Sequence, residues 1–247
     1  MSGIEIHHDD VSLDAPTLVE GLPGVGLVGK LATDHLAETF DMVHYADVHC
    51  EGLPPVATYQ SGDHDLTTPV RLYADAERDL LALRSDVPVT PPAALEFAEC
   101  LSAWADGDEV TPIYLSGIGR ERDDGTTPGL YGIATGDADD SLAAVGIEAP
   151  DESGLVSGPT GALLSHAVRT GTTALGLIVE STPQFPDPRA AAHLLQSGIG
   201  PLLGVEIPVD ELTDSAEEIR RAKRRLARQM QEAEETSSQA RPLGMYQ

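Results

Sequence analysis

Lysine is scarce in this 247-residue sequence, which contains only Lys30 and Lys223. Asp and Glu together number 41 against 15 Lys and Arg residues, and the formal net charge at pH 7 is -26. Nucleic acids and anionic membranes bind to basic protein surfaces, so this balance argues against both as general partners. High salt screens the mutual repulsion of so many carboxylates. The composition therefore indicates a halophilic cytosol, with an acidic mesophilic protein as the alternative.

Cysteines and long apolar runs are scarce as well. Cys50 and Cys100 have neither a metal-binding nor a redox spacing, and free cysteines are among the most buried residue types. We therefore expect two buried thiols in a reducing cytoplasm. No run approaches the roughly 18 apolar residues of a membrane span, and the N-terminus lacks the basic and apolar regions of a signal peptide. We expect neither a transmembrane segment nor a secretory leader.

Strand and helix patterns alternate along residues 1–210 and predict an α/β domain with a Rossmann-like, mostly parallel sheet flanked by helices. The predicted strands are Thr17–Glu20, Met42–Cys50, Val70–Ala74, Leu80–Arg84, Val110–Ser116 and Thr173–Glu180, of which the third and fourth form a hairpin. Predicted helices cover Leu27–Phe40, Pro91–Ala105 capped by Thr90, Thr160–Arg169, and a segment opened by Asp187–Pro188 that Gly198, Gly200 and Pro201 break or end. Arg120–Gly129 and Gly136–Ser141 are expected to be polar loops.

The chain changes character after Val209. An amphipathic helix is predicted within residues 211–235, where Arg220–Arg228 holds six of the 15 basic residues and a narrow apolar stripe recurs at helical spacing. This stripe either packs on the parent domain or contacts another subunit. The polar residues 236–247 contain Pro242 and Gly244 and are expected to form a flexible tail.

A glycine-rich turn follows the predicted strand Thr17–Glu20. Gly24, Gly26 and Gly29 satisfy G-x-G-x-x-G before Lys30, and Asp47 lies 18 residues further on, near the position of the ribose-binding acid in dinucleotide-binding units. A nucleotide phosphate could lie against such a turn. Alternatively, the glycines only allow a strand and a helix to pack closely, and we prefer this structural role.

No catalytic or metal-binding constellation is found. The eight histidines form no H-E-x-x-H motif and share no zinc spacing with cysteine, and no G-x-S-x-G nucleophile elbow occurs. Ser116 and Ser181 follow predicted strands and are interpreted as ordinary loop serines. We therefore predict no enzyme, no cofactor and no metal site.

The last three residues, Met245, Tyr246 and Gln247, place a hydrophobic side chain, a tyrosine and a free carboxylate at the end of the expected tail. Capture of a C-terminal carboxylate is an established mode of peptide recognition. A pocket that stacks the ring and pairs the terminal charge with a lysine could therefore bind this end.

Two segments resemble the proteasome assembly chaperone family, including its archaeal members. EGLPGVGLVGKLATDHL (Glu20–Leu36) is similar to the family's glycine-rich opening, and LIVESTPQFPDPRAAAHLL (Leu177–Leu195) to a later strand, polar turn and helix. The resemblance implies a self-associating α/β domain without established catalysis that binds proteasome α-subunits. It assigns Gly24, Gly26 and Gly29 a scaffold role.

Residues 245–247 also resemble the motif by which proteasome activators and some archaeal assembly chaperones insert between α-subunits. The resulting prediction is a chaperone or core-docking protein. The alternative is a nucleotide-binding enzyme, either like ATP-grasp ligases or dinucleotide-binding, that uses the loop Gly24–Lys30.

Overall fold

The computed structural model describes residues 3–214 except positions 9, 60, 61, 63, 108, 124, 184 and 185. The amphipathic helix predicted within residues 211–235 lies almost wholly outside the described residues. The predicted tail 236–247 lies wholly outside them. Within the described part, helices pack against a large mixed sheet, so the predicted α/β fold is confirmed.

Eight strands form the main sheet and two form a short ribbon, β4 (Thr58–Tyr59) with β5 (Leu66–Thr67). The main strands are β1 (Gly3–Ile6), β2 (Thr17–Gly21), β3 (Val43–His49), β6 (Val70–Asp75), β7 (Leu80–Ser85), β8 (Thr111–Gly119), β9 (Leu130–Thr135) and β10 (Ala174–Ser181). The α-helices are α1 (Val28–Thr39), α2 (Ala94–Gly107), α3 (Asp139–Ala144), α4 (Gly158–Thr170), α5 (Pro188–Leu194) and α6 (Gly200–Leu203).

The strand order of the main sheet is β1-β3-β6-β7-β2-β8-β10-β9. The four strands β7, β2, β8 and β10 are parallel, and antiparallel strands extend the sheet on both sides. The central parallel strands are buried on both faces, as continuous apolar runs such as Leu80–Leu83 require.

Two apolar cores cover the two faces of the sheet. Helices α1, α3 and α5 pack on one face, here called the α1 face, through residues such as Leu36 and Leu194. Helices α2 and α4 pack on the other, the α2 face, through residues such as Phe97 and Leu163. Side chains alternate between the faces along each strand, so Leu80 and Ala82 point to the first core and Leu81 and Leu83 to the second.

The helix opened by Asp187 begins as predicted, because the Asp187 carboxylate accepts a hydrogen bond from Ala190 N. The helix is broken near Gly198, Gly200 and Pro201, as predicted, but it does not end there. A π-helical turn at Leu195–Ile199 interrupts the α-helix and leads directly into α6. The end comes at Gly204, which has a left-handed backbone.

Other predictions needed smaller corrections. The Gly136–Ser141 segment is only partly a loop, because α3 starts at Asp139. Thr90 precedes the helical turn at Pro91–Ala93, but its side chain makes no capping hydrogen bond. No helix in the described part of the chain combines the length and apolar composition that a membrane crossing requires.

The prediction of two unpaired thiols was wrong. Cys50, just after β3, forms a disulfide with Cys100 on α2, and their Cα atoms lie 5.8 Å apart. The physical reason is the packing of α2 across the β1–β3 side of the sheet, which brings together cysteines separated by 50 residues. Neither cysteine lies in a short motif, so no local pattern could indicate this pairing.

Candidate functional site

The carboxyl ends of β7, β2, β8 and β10 lie along one edge of the sheet, where open α/β sheets commonly bind ligands. The glycine-rich turn after β2 lies at this edge. The loop that follows β8 and the turn that follows β10 pack beside it. Any site formed by the predicted loop Gly24–Lys30 must therefore be assembled here.

The glycine turn is packed tightly against its own chain. Gly26 has a positive φ of 62°, and a Cβ at this position would overlap the Oγ of the buried Ser181. Gly29 lies against Gly21 and the Leu22 carbonyl oxygen. By contrast, a Cβ on Gly24 would meet only the Leu22 carbonyl oxygen, at 4.0 Å. At Gly26 and Gly29 the absent side chains thus make room for protein atoms.

Asp187 connects this turn to both neighbouring loops. Its backbone N–H donates to the Gly26 carbonyl oxygen at 2.8 Å, and its carboxylate accepts hydrogen bonds from Thr182 and from the first turn of α5. The same carboxylate forms a nearly buried ion pair with Arg122 in the loop after β8. Asp187 therefore connects the glycine turn, through its backbone, with the loop after β8 and the turn after β10, through its side chain.

Lys30, the cation that could face a nucleotide phosphate, is already paired. Its Nζ lies 3.0 Å from an Asp34 oxygen and 3.1 Å from an Asp86 oxygen. Arg71 and Arg84 contact the same two carboxylates. Partial burial raises the pKa of Asp86, but Lys30 and Arg71 outweigh it and hold that pKa below its ordinary value.

The remaining groups expected of a nucleotide site do not assemble at the turn. The N–H groups of Leu27 and Val28, at the start of α1, donate to Gly24 and Val25 carbonyl oxygens. Asp47 lies on β3, which β6 and β7 separate from β2 in the sheet order. A ribose-binding acid would follow the strand next to β2. The geometry thus gives no support to the nucleotide alternative.

A buried acid, Glu20, lies at the same edge on the α2 face. The β2–β8 pairing ends at Glu20 and Tyr114, and beyond it the Glu20 carboxylate accepts hydrogen bonds from Leu115 N, Leu22 N and Thr160 Oγ1. Complete burial raises the pKa of Glu20 to about 8, although these hydrogen bonds act in the opposite direction. Burial thus gives the Glu20 carboxyl a pKa far above that of an exposed glutamate.

A cavity of about 510 Å³ opens on the α2 face between β8, β9, β10 and the start of α4. Its lining is mainly apolar, with Arg120 and Glu152 as a charged pair at 3.1 Å. Large apolar side chains around it are exposed: Leu155 by 86%, Val168 by 68% and Ile118 by 40%. Such a surface suits contact with another protein.

The sequence-predicted site residues are divided by the structure. Gly24, Gly26, Gly29 and Lys30 come together at the carboxyl edge, whereas Met245, Tyr246 and Gln247 lie outside the described residues. The pairing of Arg122 with Asp187 and the cavity were both missed, because they depend on contacts between segments far apart in sequence.

The described part of the chain thus defines an α/β scaffold in which protein atoms fill the space beside Gly26 and Gly29 of the glycine turn. Residues 18–227 match the PAC2 family, and the chain belongs to this family. An uncharacterized protein of Methanocaldococcus jannaschii is 27% identical over 222 residues, which cover 89% of this chain and 88% of the relative.

Two solved structures from Pyrococcus furiosus are similar in fold. PbaA, an archaeal homolog of proteasome-assembly chaperone, has a TM-score of 0.79 and 28% identity, with 95% of this chain and 96% of PbaA covered. PbaB, an archaeal proteasome activator, has a TM-score of 0.78 and 23% identity over 92% of this chain and all of PbaB. The likeness to PbaB concerns the fold.

Replacing Gly26 by Val should destabilise the fold by about 2–5 kcal/mol, because the new side chain combines a left-handed backbone with an overlap at Ser181. Gly24→Ala is the matched control, since Gly24 is extended and has open space, and its effect should stay within about 0.5 kcal/mol. Urea unfolding of both variants tests this. A stable Gly26→Val protein that loses nucleotide binding would instead favour the enzyme alternative.

Glu20→Gln should alter the dependence of stability on pH. The pKa of Glu20 rises from 4.5 to about 8 on folding, so the folded state holds the proton more tightly and burial costs stability as pH rises through this window. The variant should gain stability relative to the wild type between pH 5 and 8, measured by urea unfolding. Glu99→Gln, which makes the same change at an exposed position of α2, should show no such trend. Parallel pH profiles for wild type and Glu20→Gln would contradict the assignment.

Proposed function

We propose that this protein is a proteasome assembly chaperone, or a protein that docks on the proteasome core, and that it contacts proteasome α-subunits as a homo-oligomer. The observation that carries the proposal is membership of the PAC2 family over residues 18–227. The 28% identity to PbaA across nearly the full length of both chains supports it further. A binding role also suits a glycine turn in which protein atoms occupy the place of a phosphate.

The proposed cellular setting is a salt-rich archaeal cytoplasm. A net charge of -26 suits high ionic strength, where the Debye length falls to about 3 Å at 1 M salt. Disulfides such as Cys50–Cys100 are rare in most cytosols, and the general exception is the intracellular proteins of hyperthermophiles.

Two parts of the chain would divide the work. The α/β domain supplies an oligomeric scaffold, and the tail ending in Met245, Tyr246 and Gln247 enters pockets between α-subunits. Twelve residues follow position 235, and an extended chain of that length reaches about 40 Å. Several tails on one oligomer would bind together and raise the overall affinity by about 10²–10⁴.

Self-association is assigned to the apolar surface around the cavity, with a second copy of this chain as its occupant. An isologous interface must be self-complementary, and this surface combines the exposed Leu155 and Val168 with both charge signs, Arg120 and Glu152. Three exposed large apolar side chains, Ile118, Leu155 and Val168, line this one cavity.

Deleting residues 245–247, or changing Tyr246→Ala, should strongly weaken binding to proteasome α-subunits while the fold and the oligomer persist. Tyr246 supplies the aromatic anchor, and its loss is repeated on every subunit of the oligomer. Pull-down with purified α-subunits, alongside light scattering of the free variants, measures both effects.

Gln247→Ala is the control for the tail, because it keeps the terminal carboxylate and should bind almost as well as the wild type. Adding two residues after Gln247 should be as harmful as the deletion, since it displaces the carboxylate. If the truncated protein binds α-subunits as tightly as the intact chain, docking occurs on the α/β domain.

The oligomer should be present in molar KCl and loosen in dilute buffer, where the carboxylates of neighbouring copies repel each other without screening. Leu155→Asp should shift the protein toward the monomer even in molar KCl, because it places a charge in the apolar contact. Leu66→Asp, at a position on the β4–β5 ribbon that is 70% exposed, should leave the oligomer intact. Light scattering measures all three, and a wild type that stays monomeric throughout contradicts the proposal.

A further inference from the structure

Two histidines and an aspartate meet at the end of the sheet formed by β1 and β3. His7, directly after β1, places its Nε2 3.0 Å from one Asp47 oxygen. His44 on β3 places its Nε2 2.9 Å from the other. The three potential ligand atoms all lie within 4.8 Å of one another.

A β-bulge brings His44 and Asp47 to the same face of the sheet. Residues three positions apart in a regular strand point to opposite faces. In β3, however, the register shifts between His44 and Ala46, so that His44 pairs with Tyr73 and Asp47 with Arg71. Asp47 also pairs with Glu5 on β1, so His7, two residues after Glu5, projects toward the same side.

Contacts around the cluster hold these side chains in place. Thr68 Oγ1 donates to Asp47 Oδ1 at 2.7 Å. The His44 ring stacks on Tyr73, with 5.5 Å between the ring centroids. The backbone N–H of His7 donates to the Tyr45 carbonyl oxygen at 2.9 Å. Hydrogen bonds and packing contacts to the ligand residues orient those residues in metal sites.

We propose that His7, His44 and Asp47 bind a divalent transition-metal ion, with Zn²⁺ as the reference ion. Imidazole nitrogens with a carboxylate oxygen suit zinc, whereas Mg²⁺ and Ca²⁺ prefer oxygen ligands. Zn–N and Zn–O distances near 2.1 Å place tetrahedral ligand atoms about 3.4 Å apart. The distances from His7 and His44 to the two Asp47 oxygens, 3.0 and 2.9 Å, would widen by about 0.4–0.5 Å on binding. The side chains of His7 and His44 are 37% and 32% exposed, which leaves an entry path and room for a water ligand.

The bound ion would cross-link the residue that follows β1 to β3. Strand β1 has only four residues and pairs with β3 alone, and its far side is an open edge in the described part of the chain. A metal that joins His7 to His44 and Asp47 adds a cross-link between these two strands and stabilises the folded state through binding. This role does not depend on the proposed chaperone function.

A competition titration with a chromophoric zinc chelator tests the site. It uses tag-free full-length protein in excess Mg²⁺, which occupies the acidic surface. The wild type should bind one Zn²⁺ per chain. Thr68→Val should weaken binding about 10–100-fold, and His44→Gln and Asp47→Asn should weaken it at least as much. His49→Ala is the matched control, because His49 lies on the same strand and faces a single carboxylate, Glu5, at 3.4 Å; its affinity should equal that of the wild type.

A second measurement, Co²⁺ substitution, keeps the test decisive if a variant folds poorly. Wild-type protein should give the visible d–d absorption of a four-coordinate nitrogen and oxygen site, and circular dichroism verifies the fold of each variant. The proposal is overturned if the wild type binds no stoichiometric Zn²⁺ in excess Mg²⁺. It is equally overturned if folded His44→Gln and His49→Ala bind with the same affinity, since binding would then belong to the acidic surface in general.

Discussion

Asp187 connects the loops at the carboxyl edge of the sheet through its hydrogen bonds and its ion pair. It caps α5, accepts hydrogen bonds from Thr182 and pairs with the nearly buried Arg122, while the Asp187 backbone holds the glycine turn through the Gly26 carbonyl oxygen. Breaking a buried pair by removing one partner commonly costs about 3–5 kcal/mol, because the other charge stays buried and unpaired. Three loops from distant parts of the chain thus depend on one residue, through its side chain and its backbone N–H, for their relative positions.

This arrangement explains how a G-x-G-x-x-G sequence can have a structural role without binding a ligand. In dinucleotide-binding folds the glycines make room for a pyrophosphate, whereas here Gly26 makes room for Ser181 and Gly29 for the strand before it. Lys30 completes a network with Asp34 and Asp86. The space beside the glycine turn that would hold a pyrophosphate in a dinucleotide-binding fold is therefore occupied by protein atoms.

Local patterns predicted most of the helices and strands, and the places where prediction failed have a common physical cause. The Asp187–Pro188 helix start and the Val70–Asp75 to Leu80–Ser85 hairpin depend on neighbouring residues and were recovered. The Cys50–Cys100 disulfide depends on how α2 lies across the sheet, and the His7, His44 and Asp47 cluster on a bulge in β3. Strand β9 was assigned no structure because its sequence, LYGIAT, is short and follows a polar loop. Long-range packing determines the disulfide and the cluster, and patterns of neighbouring residues in a single sequence do not record such packing.

The distribution of charge then restricts where another protein can bind. With a net charge of -26, most of the surface repels a second copy, and apolar contact must outweigh that repulsion wherever association occurs. The α1 face near β3 and β6 is polar, since Arg71, Asp86 and Asp47 lie there. The surface around the cavity on the α2 face instead exposes Leu155 and Val168. Association through the apolar surface would leave the polar face open to solvent. The proposed oligomer contact and the histidine cluster would then lie on opposite sides of one sheet and would not compete.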